Sequence, residues 1–222
     1  MSGHAGWLRG CGWVNQGRKR VIYYPSGWRV DGVRAKVTEE WIRGVRVKAG
    51  YLWIYRLATV WMPETRFFGV KAWLLRRCGA SIGRNVRICS SVCFLGTGRL
   101  VIGDDVWIGP QGLFATSGAA AITIGSHVDI APRVTIETGS HTIDPDGEHI
   151  GGAGYSASVT VGSGSWIGAC AVILPGVSLA EKTLVAAGAV VTRDVSERGG
   201  ACLVAGVPAT CKKIYTPQGE GR

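Results

Sequence analysis

The sequence lacks the features that mark several other classes of protein. Only 8 of its 222 residues are proline and 18% are charged, whereas 34 are glycine. This composition excludes a collagen-like chain and a proline-rich linker, and it favours a globular chain with many turns. No run of about 18 apolar residues is present, so no spanning helix is expected. We also find no basic start followed by an apolar stretch and a small-residue cleavage site, and therefore predict no signal peptide.

Clustered metal ligands are also missing. The seven cysteines form no CxxC pair. A zinc site needs grouped cysteine and histidine, so no metal is expected. An odd number of cysteines in a chain without a signal peptide indicates free thiols in a reducing compartment. We therefore expect a cytoplasmic protein.

Positive charge and tryptophan are concentrated in the first third of the chain. Lys and Arg outnumber Asp and Glu 15 to 4 in residues 1–79, but number 10 against 11 in residues 80–222. Seven of the nine tryptophans also lie in residues 1–79. No nucleic-acid motif accompanies this charge, so no nucleic-acid partner is expected. Two interpretations stay open: peripheral contact with the inner face of a membrane, or packing of residues 49–77 on the next domain beside a solvated tail.

From residue 80 onward, aliphatic or aromatic residues recur every six positions within four sets, and the steps between the sets are 8, 10 and 25 residues. Such a period indicates short strands separated by turns, with three strands closing one coil of 18 residues and successive coils pairing as parallel sheets. It predicts a parallel β-helix over residues 80–196, with five coils and a loop at about 139–158. The register positions are Ile82, Ile88, Phe94, Ile102, Ile108, Phe114, Ile124, Ile130, Ile136, Val161, Ile167, Ile173, Leu179, Val185 and Val191.

The segments that flank the repeat show other patterns. Residues 1–45 have no clean period, and we expect poor order there. Residues 46–79 are predicted to be helical, with a first helix over 49–61. A second helix is predicted to start at 63–65, where proline and glutamate suit a first turn, and to end at Gly79. Residues 197–222 are expected to form a short C-terminal extension.

The hexapeptides, the segment Thr138-Gly139-Ser140-His141 and the ending Gly206-Val207-Pro208-Ala209 resemble the hexapeptide-repeat acyltransferases. The resemblance is strongest to bacterial sugar O-acetyltransferases of the colanic-acid/exopolysaccharide and galactoside/maltose/nodulation type, and it covers about residues 64–215. It implies a mainly β fold, a left-handed β-helix, and a homotrimer with active sites between subunits. It also implies acetyl-CoA as co-substrate and transfer of an acetyl group to a hydroxyl of a sugar or glycoconjugate, in surface polysaccharide biosynthesis.

The same resemblance assigns catalytic roles. His141 matches the family's general base, which would take the proton of the attacking hydroxyl. Glu137 is the preferred partner to orient its ring, and a backbone carbonyl is the alternative. The backbone N–H of Ala169 would stabilise the charge that develops on the thioester oxygen. We interpret His127 as structural, and His149 as able to contact the acceptor.

The family's cofactor stretches also map onto this chain. The pantetheine arm would lie along an aromatic residue and small residues, and the adenosine end and phosphates would meet polar and basic residues. The first of the family's two basic positions near the C-terminus is Thr210 here, which puts one phosphate contact in doubt. The implied cofactor residues are Trp166, Gly168, Ala169, Ala187, Thr192, Arg193, Lys212 and Lys213.

Other interpretations stay open at this stage. Residues 111–121 lack the Asn and Asp pair of the galactoside-type enzymes, so a galactoside acceptor is not carried over. An acetyltransferase of the same fold acting on an antibiotic or an amino acid, or a non-catalytic β-helix scaffold, would share the repeat. A carbonic anhydrase of this fold needs three converging histidines, and His127, His141 and His149 contain no close pair.

Overall fold

The structure is a computed structural model that describes residues 46–118, 120–195 and 201–215. The expectations for residues 1–45 lie outside these ranges. Over the described residues the chain forms two helices and nineteen short strands. In chain order they are α1 (Ala49–Thr59), α2 (Phe68–Arg77), β1 (Ser81–Ile82), β2 (Arg87–Ile88), β3 (Cys93–Gly96), β4 (Arg99–Ile102), β5 (Trp107–Ile108), β6 (Leu113–Thr116), β7 (Ala121–Ile124), β8 (Asp129–Ile130), β9 (Thr135–Glu137), β10 (Gly139–Ile143), β11 (Gly151–Ser156), β12 (Val159–Val161), β13 (Trp166–Ile167), β14 (Val172–Ile173), β15 (Ser178–Leu179), β16 (Thr183–Val185), β17 (Val190–Val191), β18 (Ala201–Gly206) and β19 (Ala209–Tyr215).

The strands form five coils that stack into three parallel sheets. Face A contains β1, β4, β7, β12 and β15, face B contains β2, β5, β8, β13 and β16, and face C contains β3, β6, β9, β14 and β17. Register positions of successive coils pair directly, as Ile88 with Ile108 and Ile108 with Ile130 do on face B. Every register position of the six-residue period is buried. The predicted fold, a mainly β, left-handed β-helix of hexapeptide repeats, is confirmed.

Each repeat buries more than its register residue. The side chain two positions earlier also points inward, as at Val106, Val128 and Val134, because alternate residues of a strand share a face. Small residues at the corners let neighbouring coils approach. A Cβ on Gly168 would lie 2.5 Å from the backbone nitrogen of Ala187 in the next coil.

The two helices pack on the first coil. The ring of Tyr55 on α1 meets Phe94 edge-on, with centroids 5.9 Å apart. The predicted start of α2 at 63–65 is wrong: Arg66 N–H donates to the Pro63 carbonyl in a turn, and Phe67 adopts a left-handed φ of 55° immediately before the helix. Gly79, with φ of 97°, follows the end of α2, as expected for a helix C-terminus.

A buried lysine joins α2 to the β-helix. The Lys71 ammonium donates to the Glu64 carbonyl at 2.9 Å and to Ser90 Oγ at 3.1 Å, and it lies 4.9 Å from the centroid of the Phe68 ring. Burial lowers the pKa of Lys71, and the nearby Cys89 and Glu64 raise it by less. The charged end is therefore held by neutral acceptors and an aromatic face.

The C-terminal segment extends the β-helix. Strand β18 pairs in parallel with β16 and adds to face B, and β19 returns antiparallel along β18. Over the residues that the structure describes, no helix has both the length and the apolar character needed to cross a bilayer.

Candidate active site

A two-stranded hairpin leaves the β-helix between face C of the third coil and face A of the fourth. It consists of β10 and β11, paired antiparallel, and it occupies the segment predicted as a loop at about 139–158. Hydroxyl groups fix its base to the coil below. Ser117 N–H donates to the buried Thr138 Oγ1 at 2.8 Å, and the Oγ atoms of Ser117 and Ser156 lie 2.7 Å apart. The hairpin is therefore exposed at its tip and anchored at its base.

His141 lies on β10 with an exposed side chain. Its Nδ1 is 3.0 Å from the carbonyl oxygen of Gly152 on β11. Because a carbonyl only accepts hydrogen bonds, Nδ1 carries the proton in this contact. Nε2 of the neutral ring is then left with a lone pair, which is the state that a general base requires.

The geometry does not match the expected role of Glu137. Glu137 is half-buried on β9, and within the described ranges no hydrogen bond joins its carboxylate to the His141 ring. The pairing of β10 with β11 places the Gly152 carbonyl against Nδ1 instead. The group in contact with Nδ1 is therefore the Gly152 carbonyl, a backbone carbonyl, and not the Glu137 carboxylate.

The other two described histidines lie apart from this ring. His127 occupies a corner with a left-handed φ of 58°, equivalent to Asn85 and Asp105 in earlier coils, and its Nδ1 is 3.7 Å from Asp105 Oδ2. His149 is exposed near the hairpin tip. Among the described residues, no group of three His, Cys, Asp or Glu side chains could hold a metal ion.

Ala169 lies at the corner between face B and face C of the fourth coil. Its carbonyl accepts from Gly188 N–H at 2.8 Å, but its own N–H makes no hydrogen bond within the described part of the chain. The equivalent positions of the second and third coils are Pro110 and Pro132, which have no N–H to offer. The fifth-coil equivalent is Ala187, whose N–H is likewise without a partner among the described residues. Free backbone donors thus occur side by side in the described parts of the fourth and fifth coils, where the resemblance to the acyltransferases implies the acyl end of the cofactor.

A column of outward-facing residues on face B links the two ends of the expected cofactor site. Trp166 pairs with Leu184, Leu184 with Leu203, and Leu203 with Lys213. Lys213 therefore lies three strand spacings, roughly 14 Å, from Trp166 along the β-helix axis. Lys212 falls at the irregularity in the pairing of β18 with β19 and lacks a register partner on β18.

Exposure distinguishes the two Trp-Ile-Gly repeats. Trp166 is 56% exposed. Trp107 of the second coil is half-buried, with the Arg87 guanidinium 5.2 Å from its ring and the Phe68 ring 5.9 Å away. Only the fourth-coil tryptophan therefore combines an open ring with a free N–H at the following corner.

Within one chain, the candidate residues fall into two groups. Trp166, Gly168, Ala169 and Ala187 lie on face B or at its corner with face C, whereas the hairpin with His141 leaves from the far edge of face C. In the fourth coil, face C extends from Ala169 to about Leu174, a width of roughly 16 Å. Thr192 and Arg193 are exposed and directly follow β17, also at the far edge.

Sequence reasoning missed three features of this site. The Gly152 carbonyl and the free N–H of Ala187 are backbone groups, which no side-chain motif reveals. The placement of Lys213 in the Trp166 column depends on strand β18, which belongs to no hexapeptide of the repeat. The sequence did contain a signal for the corner at Ala169 and Ala187. Proline at the equivalent positions 110 and 132 shows that the fold itself does not need a backbone N–H there.

Comparisons with known proteins agree with this architecture. No family model matches the chain. The chain is 36% identical over 87 residues to a galactoside O-acetyltransferase of Lactococcus lactis, covering 37% of this chain and 42% of the relative. It is 33% identical over 138 residues to the putative colanic acid biosynthesis acetyltransferase WcaF of Escherichia coli, covering 61% of this chain and 72% of the relative. The chain thus spans less than half the length of the first relative and more than two thirds of the second.

A solved structure shares the fold. The maltose O-acetyltransferase from Clostridium difficile superposes with a TM-score of 0.52 at 23% identity, covering 76% of this chain and 86% of that chain. At this identity the likeness concerns the fold alone.

Proposed function

The chain belongs to the hexapeptide-repeat acyltransferases, and on that premise we propose that it transfers an acetyl group from acetyl-CoA to a sugar hydroxyl. The two relatives compared by sequence are named as acetyltransferases, one of them as putative, and the Lactococcus lactis relative is named for a galactoside acceptor. The observation that carries the proposal is the His141 ring, whose Nδ1 is held 3.0 Å from the Gly152 carbonyl. This contact leaves Nε2 free to accept a proton.

In the proposed reaction, Nε2 of His141 removes the hydroxyl proton as the oxygen attacks the thioester carbonyl carbon. A tetrahedral intermediate forms, and its oxyanion accepts a hydrogen bond from Ala169 N–H. The intermediate collapses to the acetyl ester and expels the CoA thiolate, which takes the proton back from the imidazolium. The ring ends neutral, and the enzyme is never acylated.

The cofactor would lie along the β-helix axis. Small residues at 168, 169 and 187 leave room for the thin pantetheine arm at the corner, and Trp166 offers an exposed ring beside it. Lys213, in the same column, would meet the phosphates, with Lys212 next to it. Thr192 and Arg193 would contact the adenosine end from the edge of face C.

We propose a homotrimer with each site shared by two copies. In one chain, the hairpin that carries the base leaves the β-helix at the edge of face C opposite the oxyanion donor, across a face roughly 16 Å wide. A second copy that brings its hairpin to the corner at Ala169 would complete the site. Cyclic symmetry would then give three equivalent sites in a trimer.

The acceptor is a sugar or glycoconjugate in this proposal, in surface polysaccharide biosynthesis. Hydroxyl groups lie near His141: Thr142 Oγ1 donates to the Ala153 carbonyl, and Ser117 and Ser156 bond each other at the base of the hairpin. Such groups suit neutral hydroxyl-bearing ligands. The name of WcaF supports the polysaccharide context.

The test is a product analysis by mass spectrometry. The full chain is mixed with acetyl-CoA and a pool of sugars, nucleotide-linked sugars and lipid-linked sugars. One acceptor should gain the mass of an acetyl group with wild type and should not gain it with His141→Ala, while acetyl-CoA binding persists in the variant. His127→Ala is the matched control and should keep activity. Equal product from His141→Ala would contradict the mechanism.

A further inference from the structure

Helix α1 is apolar on two opposite sides. Leu52, Tyr55 and Thr59 face the β-helix and are buried. The opposite side of α1 and the turn that follows it carry five exposed apolar residues, which we call the α1 surface. They are Trp53, Ile54, Leu57, Val60 and Trp61.

The α1 surface is unusual for a helix in water. Trp61 is 87% exposed and Trp53 is 65% exposed. Trp53, Leu57 and Val60 are spaced so that they lie on one side of the helix, and together with Arg56 they line a surface groove. A helix that is apolar all round is normally covered by protein or by lipid. Contiguous apolar patches of this kind mark interaction sites.

The charge around this surface identifies the chemistry of the partner. Residues 46–77 contain seven Lys or Arg and one acidic residue, Glu64. Six of the seven cations are exposed, and the buried one is Lys71. The exposed cations include Lys48, stacked 5.3 Å from the Tyr51 ring, and Arg77, 5.1 Å from the Trp73 ring. A partner must therefore offer an apolar interior for the exposed side chains and negative charge for the cations.

Another copy of this chain fits this charge poorly. A second copy that paired through this same surface would bring the same cations face to face. Exposed tryptophans beside basic residues, as Trp53 lies beside Arg56, are instead suited to the boundary between lipid headgroups and acyl chains. Each cation near an anionic leaflet adds to the attraction.

We propose that the α1 surface docks on an anionic phospholipid bilayer. Trp53, Leu57 and Trp61 would enter the headgroup boundary, and the surrounding Lys and Arg would contact lipid phosphates. The helix would lie in the plane of the bilayer. This orientation would keep the β-helix, and any acceptor carried on a membrane lipid, at the same surface.

The test is co-sedimentation of the full chain with vesicles. Wild type should bind vesicles of phosphatidylcholine mixed with phosphatidylglycerol, bind phosphatidylcholine alone more weakly, and lose binding as salt screens the charges. The double substitution Trp53→Ser with Trp61→Ser should lower the partition coefficient by about tenfold or more. Arg56→Gln should lower it by about fivefold on anionic vesicles.

Leu95→Ser is the matched control, because Leu95 is exposed to a similar degree as Leu57 but lies on β3 of the β-helix wall. It should bind as wild type does. Unchanged vesicle binding by the double variant would overturn the proposal and place any membrane contact elsewhere in the chain. A change in oligomeric state without a change in vesicle binding would also overturn it. No acetyl-CoA is present, so the result is independent of the proposed reaction.

Discussion

The backbone N–H of Ala169 can be removed by a substitution to proline, the residue that other coils already have at this corner. Its equivalents in the second and third coils are Pro110 and Pro132, so the corner already accepts proline. Ala169→Pro should therefore keep the fold and lower kcat by about a hundredfold to a thousandfold, the usual loss for one oxyanion donor. Steady-state kinetics with acetyl-CoA would measure the change in kcat, and thermal unfolding would verify that the variant keeps the fold.

The control for this substitution is Pro132→Ala, which changes the same type of corner one coil earlier and should leave kcat unchanged. A kcat for Ala169→Pro equal to that of wild type would remove Ala169 from the mechanism.

Lys71 gives a prediction about pH. Its pKa is lowered by burial from the ordinary 10.5, so between the lowered value and 10.5 the unfolded chain binds more protons than the folded chain. The free energy of unfolding contributed by Lys71 therefore rises with pH in that window. Urea unfolding of wild type and Lys71→Met should be measured at several alkaline pH values. The free energy of unfolding of wild type should rise relative to that of the variant as the pH increases.

The comparison with the variant matters because burial raises the pKa values of Cys78 and Cys89. Both contributions fall with rising pH. That of Cys78 is present in both proteins, whereas loss of Lys71, which lowers the pKa of Cys89, strengthens the fall from Cys89 in the variant and so acts in the same direction as the prediction. A difference between wild type and variant that does not change with pH would contradict the assignment to Lys71.

At the residue scale, the sequence predicted side chains better than backbone groups. His141 stands in a recognisable segment, and the structure places it in an exposed hairpin with its ring oriented. The Gly152 carbonyl could not be predicted, because its position depends on the β10–β11 pairing, which shifts register between His141 and Ile143. Glu137 was preferred because it is near in sequence, but strand geometry rather than sequence distance decides which group meets the ring.

At the element scale, the hairpin depends on its anchored base. Thr138 is fully buried, and its Oγ1 accepts from Ser117 N–H at 2.8 Å. Thr138→Val keeps the shape and leaves that N–H unpaired, which should lower the free energy of unfolding by about 1–3 kcal/mol. Denaturant unfolding would measure the loss. Thr138→Ser, which restores the hydroxyl, should recover part of it, and equal losses in the two variants would point to packing instead.

Strand β19 gives the second prediction at this scale. Lys213 stands in register with Leu203 and hence with Trp166, whereas Lys212 lies at the irregularity. Lys213→Ala should weaken acetyl-CoA binding by about tenfold, because a contact to a charged phosphate is lost. Lys212→Ala is the matched control and should weaken it less. Isothermal titration calorimetry would compare the acetyl-CoA dissociation constants of the two variants. A larger loss of affinity in Lys212→Ala than in Lys213→Ala would contradict the placement of Lys213 in the Trp166 column.

The elements themselves were predictable to different degrees. The six-residue register requires only local pattern, and every predicted register residue from Ile82 to Val191 is buried. The start of α2 was not predictable from Pro63 and Glu64, because the turn that precedes the helix is set by the left-handed backbone of Phe67. Strand β18 was missed because residues 201–206 do not follow the hexapeptide pattern and are recruited by the open edge of β16.

At the scale of the whole molecule, the account depends on how copies combine. In one chain, the hairpin that carries His141 leaves the β-helix at the edge of face C opposite Ala169, and face C is roughly 16 Å wide. The chemistry requires both groups at one acyl carbon, so the proposed trimer is a condition for activity. An isolated chain should bind acetyl-CoA weakly and transfer nothing.

The most direct test of this claim is complementation between two inactive variants, His141→Ala and Ala169→Pro, assembled into mixed trimers by co-expression with different tags. If each site takes its base from one copy and its donor from the next, about one quarter of the sites in a random equal mixture contain both intact groups. Acetyl transfer should then recover to about that fraction of the wild-type rate per site. If mixed trimers form and their activity stays at the level of the single variants, the base and the donor act within one chain and the shared site is wrong.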